Sequence, residues 1–193
     1  MRSNTSIQQY IQTYFGITND DVEKVVALFE ETTLNKGEYF VKAGHYCDKL
    51  SFINEGLIRV WLPSESKEIT QWISTSGYFV TDLSSMVFNT PARWNLQALT
   101  DCKLFTITKE LYDSMNQVVN NWDELEKLFI AKCFLTLEDR VFSHISMSAD
   151  ERYNQLFESN PAIFNQVPLQ YLASMLGMSA ETFSRIRSKK IQS

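Results

Sequence analysis

Three kinds of residue are scarce in this chain of 193 residues, which has two histidines, three cysteines and six glycines. With His45 and His144 alone, and no HExxH, GxSxG or P-loop pattern, nothing supplies acid–base, nucleophilic or phosphate-transfer chemistry. An enzyme is not expected, nor is a cofactor or a metal. Cys47, Cys102 and Cys133 are odd in number, widely spaced and without a CxxC pair, so buried reduced thiols are expected rather than a disulfide framework or zinc site. Long apolar runs are also missing, which excludes a membrane-spanning helix. Met1-Arg2-Ser3-Asn4-Thr5 leads into a polar segment rather than an apolar signal core, so a cytoplasmic location is expected. The formal net charge of −5 argues against a surface coated in basic residues.

Where glycine does occur, it organises the front half. Gly37, Gly44, Gly56 and Gly77 punctuate a stretch rich in β-branched and aromatic residues, whereas Pro91 to Pro161 encloses neither glycine nor proline. The first pattern predicts strands joined by turns, the second leaves room for a long helix. Val22, Val25, Val26 and Phe29 predict a short helix over Asp20–Glu30. Strands are expected at Glu38–Lys42, Leu50–Ile53, Leu57–Leu62, Ile69–Ile73, Tyr78–Thr81 and Trp94–Ile107, with Asn54-Glu55-Gly56 as a hairpin turn. Short strands at such spacing imply an antiparallel barrel or sandwich.

From Lys109 the periodicity becomes helical. Leu125, Leu128, Phe129, Leu135, Val141, Phe142 and Ile145 cover a broad apolar face, predicting a helix over Trp122–Ile145. Lys132 and Asp139 interrupt the heptad seam that Leu125 would begin, so periodicity alone allows packing within the chain as readily as on a second copy.

Near the end, Pro168 opens a segment in which Leu169, Leu172, Ala173 and Leu176 share one side. Gly177-Met178-Ser179 then supplies a helix stop and the next N-cap. In the following helix Phe183 and Ile186 point inward, while Glu181, Ser184, Arg185 and Ser188 line the opposite face. Arg185, Arg187, Lys189 and Lys190 against Glu181 leave residues 179–193 with a local net of +3. Arginine can grip guanine O6 and N7, glutamate can accept from cytosine N4, and Arg187, Lys189 and Lys190 suit phosphates. Such spacing describes a DNA-reading helix-turn-helix, and equally an ordinary helical hairpin with a solvated face.

The order Leu176-Gly177-Met178-Ser179 followed by Glu181-Thr182-Phe183-Ser184-Arg185 is more specific than periodicity. It resembles the Glu-x-x-Ser-Arg helix of the Crp–Fnr superfamily, and the likeness extends through Lys36-Gly37-Glu38, Asn54-Glu55-Gly56-Leu57 and the central helix. The resemblance implies an α+β chain in three parts. Residues 1–120 would form a jelly-roll-like, antiparallel β-roll sensor of the cyclic-nucleotide-binding type, 121–147 a central dimerisation helix, and 148–193 a winged helix-turn-helix, with Phe164-Asn165-Gln166-Val167 as the remnant of the wing. It also implies a homodimer through Leu125, Leu128, Leu135 and Phe142, a palindromic DNA operator, and RNA polymerase as a further partner. A small-molecule effector would sit by Thr81, Asp82, Leu83, Arg93 and Trp94. Here the sequence departs from cyclic-AMP-binding members, which carry a stretch similar to Gly-Glu-Leu and later Arg-Ser or Arg-Thr where this chain has Thr81-Asp82-Leu83 and Arg93-Trp94. Cyclic AMP is therefore not the expected effector. Nor does the chain have the early cysteine cluster of iron–sulfur members or an evident haem histidine, since His45 falls in a turn and His144 on the central helix. The alternative reading is a cyclic-nucleotide or small-molecule module whose terminal helices dock on a protein.

Overall fold

The computed structural model describes residues 3–17 and 19–191. They fall into two compact units, Met1–Arg59 with Ser74–Phe134, and Val60–Ile73 with Leu135–Ser193. This differs from the linear three-part division, because the chain enters the second unit twice.

The first unit begins with helices α1 (Ser3–Phe15) and α2 (Asn19–Val26). Eight strands follow among the described residues: β1 (Glu30–Leu34), β2 (Tyr39–Val41), β3 (Lys49–Glu55), β4 (Ile58–Pro63), β5 (Glu68–Ser74), β6 (Phe79–Val80), β7 (Asn95–Ala98) and β8 (Cys102–Thr108). One sheet has the order β1-β8-β3-β6 and the other β2-β7-β4-β5. Pairing is antiparallel, with Glu30 opposite Thr106 and Leu34 opposite Cys102 between β1 and β8, and Lys49 opposite Thr108 between β3 and β8. The expected β-roll is there.

Asn54-Glu55-Gly56 does not close a hairpin, however, because β3 and β4 lie in different sheets. It is a corner. The Leu57 amide donates to Thr100 Oγ1 at 3.0 Å and the Leu99 amide donates to the Leu57 carbonyl at 2.8 Å, which carries the strand across. Gly56 has φ +105°, and a Cβ there would meet the Asp101 carbonyl at 2.7 Å. No side chain fits.

The segment expected as one strand over Trp94–Ile107 is two, β7 and β8, broken by a turn at Leu99–Asp101. Helices α3 (Leu83–Phe88) and α4 (Lys109–Asp113), a single 3-10 turn at Met115–Gln117, and the start of α5 (Trp122–Ser146) complete the unit. Its core is aromatic. Ile7, Ile11 and Phe15 form the buried stripe of α1, and the Phe15 ring lies 4.5 Å from Phe129 and 5.1 Å from Trp122.

The second unit holds most of β4, nearly all of β5, and the rest of α5. It also contains α6 (Ala149–Ser159), α7 (Ile163–Gln166), α8 (Leu169–Met175) and α9 (Ala180–Ile191). Tyr153, Phe164 and Phe183 meet in its core with ring centroids 5.1–5.8 Å apart. This corrects the expected wing. Phe164-Asn165-Gln166-Val167 is no strand, because a helical turn puts Ile163 and Phe164 together against the aromatic core, where a strand would face them apart. The Val167 amide donates to the Ile163 carbonyl at 3.0 Å and closes the turn. Among the described residues no strand follows Ser146.

Candidate nucleic-acid interface and effector cleft

The turn between α8 and α9 is built by local backbone chemistry. Gly177 (φ +66°) lets its amide donate to the Ser174 carbonyl and the Met178 amide donate to the Ala173 carbonyl, both at 3.0 Å. These two bonds are the Schellman pattern, which ends a helix at a left-handed residue. Two residues later Ser179 Oγ accepts from the Thr182 amide at 3.2 Å and caps α9.

With both ends fixed, the faces of α9 separate. Phe183 and Ile186 are buried, whereas Glu181, Ser184, Arg185, Ser188, Lys189 and Lys190 are exposed. The predicted polar face is therefore a single exposed surface. Arg187 stands apart from it, half-buried, with an electrostatic influence on Tyr153. Hydrogen bonding by the Ser179 hydroxyl holds the Glu181 carboxyl below its ordinary pKa, keeping it an anionic acceptor at neutral pH. Lys189 and Lys190 in the last turn complement the negative end of the helix dipole.

The predicted effector residues are brought together around the start of α3, but their polar atoms are largely engaged. Asp82 is buried and caps α3. Its Oδ1 accepts from Ser84 Oγ at 2.6 Å and from the Ser85 amide at 3.0 Å, and its Oδ2 accepts from the Arg93 amide at 2.9 Å. Thr81 Oγ1 donates to the Lys49 carbonyl at 2.9 Å. Leu83 and Arg93 are exposed, and Trp94 is half-buried. The sequence offered Asp82 as an effector residue, and the structure places its carboxylate in the cap of α3.

Along α5, Leu128, Leu135 and Phe142 are 56%, 57% and 68% exposed, with Phe134, Val141 and Ile145 also on the surface. Leu125 differs from these three: it is half-buried against the core of the first unit. Cys47 and Cys102 are buried free thiols, and Cys133 is half-buried. Burial pushes the Cys102 and Cys133 thiols above their ordinary pKa, away from the reactive thiolate.

Residues 31–117 match the cyclic nucleotide-binding domain family. Among solved structures, the chain is similar to the c-di-GMP-responsive global regulator CLP of Xanthomonas campestris at 17% identity and a TM-score of 0.67, with 91% of this chain and 92% of that one covered. It is similar to FixK2 from Bradyrhizobium japonicum at 16% identity and a TM-score of 0.69, with 83% of each covered. This is the Crp–Fnr fold. Part of that fold is shared more widely: the regulatory domain of Toxoplasma gondii PKA with cAMP matches at 15% identity and a TM-score of 0.55, covering 65% of this chain. There the chain spans about half of its relative's length, 47%. No curated protein matches the chain by sequence. The Crp–Fnr fold accounts for the strand order and the long α5, and no helix among the described residues is long and apolar enough to cross a membrane.

Proposed function

We propose that this chain is a sequence-specific, DNA-binding transcription regulator of the Crp–Fnr type. The observation that carries this reading is α9: a Ser179-capped helix that buries Phe183 and Ile186 and leaves Glu181, Ser184, Arg185 and Ser188 exposed on one face. Such a helix fits the major groove, where Arg185 suits guanine and Glu181 cytosine, with Lys189 and Lys190 near phosphates. The exposed apolar residues of α5 support a symmetric dimer through Leu128, Leu135 and Phe142. Two such helices would read a palindrome, and RNA polymerase is the partner such a dimer serves.

We further propose that the effector, if the roll takes one, is not cyclic AMP. Support comes from Asp82, whose carboxylate already accepts the amide hydrogens of Ser85 and Arg93. No enzymatic step is assigned. The test is selection of operator sequences from a random pool, followed by anisotropy titration at several salt concentrations. A selected palindrome bound with a steep inverse dependence on salt is expected, because phosphate contacts release counterions. Salt-insensitive retention, or no selected sequence, would favour a protein-docking module instead.

A further inference from the structure

The second unit contains a cavity of about 250 Å³, lined by none of the predicted effector residues. Its walls come from Trp72 on β5, Arg140 and His144 on α5, Arg152 and Leu156 on α6, and Met175 at the end of α8. The Arg140 guanidinium lies 4.8 Å above the Trp72 ring centre and donates only one long bond, 3.4 Å, to the Met175 carbonyl. Burial lowers its pKa from the ordinary value, the mark of a desolvated cation. Arg152 is tied to carbonyls as well, donating to Leu176 at 2.9 Å and to Met147 at 2.6 Å. Both His144 ring nitrogens also face carbonyls, Arg140 at 2.9 Å and Met175 at 3.2 Å. Among the described residues neither guanidinium has a carboxylate partner. Asp139 lines the cavity but is exposed and pairs with neither.

Apart from that one bond, the Arg140 donors remain accessible from the cavity with no counter-charge on them, and a carboxylate matches the planar fork of a guanidinium in a way that a carbonyl does not. The cavity is smaller than the roughly 300–1,000 Å³ of drug-sized sites, which sets the ligand's size. We propose that it binds a small organic carboxylate, with the acid group on Arg140 and the carbon body against Leu156 and Met175. Because Arg140, His144 and Arg152 also hold the carbonyls of Met175 and Leu176, the ligand acts on the residues that lead into Gly177 and α9. The proposal concerns binding alone and stands whether or not the chain reads DNA.

Calorimetry on the full chain with benzoate tests it, with benzamide as the uncharged isostere and inorganic phosphate as the charge without a carbon body. Benzoate is expected to bind with a Kd at or below about 1 mM. Both controls should bind at least about tenfold more weakly, the loss of one charge-assisted hydrogen bond or of the apolar contact. Arg140→Gln should weaken benzoate by a similar factor. Leu156→Trp, which fills the cavity and keeps both arginines, should abolish binding with the circular dichroism unchanged. Amide shifts on adding benzoate should include Gly177 and Met178. No benzoate binding, a control that binds equally well, undiminished binding in Leu156→Trp, or shifts confined elsewhere would each overturn the proposal.

Discussion

Arg185 and Lys189 stand one helical turn apart on α9, both exposed, and their removal should have different consequences. An arginine gripping a guanine edge carries base information, so Arg185→Ala should cost about 1–3 kcal/mol of operator affinity and relax one G·C preference in each half-site. A lysine on a phosphate carries none, so Lys189→Ala should weaken all sequences alike and flatten the salt dependence. Anisotropy on the selected operator and on single-base variants separates the two. An unchanged preference in Arg185→Ala would mean that another face of α9 meets DNA. At this scale legibility follows sequence distance. The Ser179 cap was readable because its partner Thr182 is three residues away, whereas the partners of Asp82 include an amide eleven residues on. The stacking of Arg140 on Trp72 joins positions 68 apart, and no local pattern announces it.

Between elements the same rule governs what could be read. Helix α5 was expected at Trp122–Ile145 and runs Trp122–Ser146, because its apolar positions repeat over many turns. Strand β1 escaped notice, since Glu30-Glu31-Thr32-Thr33-Leu34 lies at a sheet edge, where polar and charged residues are tolerated. The wing was misplaced because it rested on a family likeness and not on the residues, and burial of Ile163 and Phe164 makes that segment helical. For α5 the exposures give a prediction with an internal control. Leu128→Glu with Leu135→Glu should convert the proposed dimer to a folded monomer in sedimentation, since both side chains are exposed in the single chain yet would bury unpaired charges against a partner. Leu125→Glu should instead lower the melting temperature of the chain itself, because Leu125 packs on the core. Helix α6 gives a pH prediction. The backbone amide of Ser148, and secondarily its hydroxyl, hold the Glu151 carboxyl below the ordinary range. A group with a depressed folded pKa stabilises above its unfolded value, and that contribution is lost as pH falls through the lowered one. Acid melts monitored by circular dichroism should therefore show a smaller pH dependence in Glu151→Gln than in the natural chain.

For the molecule as a whole, the roll, the long helix and the terminal helix pair were legible as a sequence of patterns: turn-punctuated strands, an unbroken apolar periodicity, a glycine stop followed by a serine cap. What ligand the roll takes is a question of geometry that patterns do not reach. A cyclic phosphate held in a β-roll needs amide donors at close range, a cation, and a carboxylate for the ribose hydroxyl. Arg93 is exposed and can supply the cation. The other two needs collide at Asp82. By the family resemblance its carboxylate would be the ribose acceptor, but its Oδ1 and Oδ2 already accept the Ser85 and Arg93 amides and the Ser84 hydroxyl. A nucleotide that drew Asp82 away would strand three buried or half-buried donors, each costing about 1–3 kcal/mol if left unpaired. Thr81 adds to this, because its hydroxyl is committed to the Lys49 carbonyl and its methyl stands where a glycine would leave room. Calorimetry of the intact chain with cyclic AMP and cyclic GMP should therefore show no binding at micromolar concentration. Asp82→Ala should not rescue it, since the substitution frees the amides only by removing the ribose acceptor and the cap of α3. Micromolar binding by the natural chain, accompanied by tighter operator binding, would show that the Asp82 cap opens at little cost and that the roll reads a cyclic nucleotide after all.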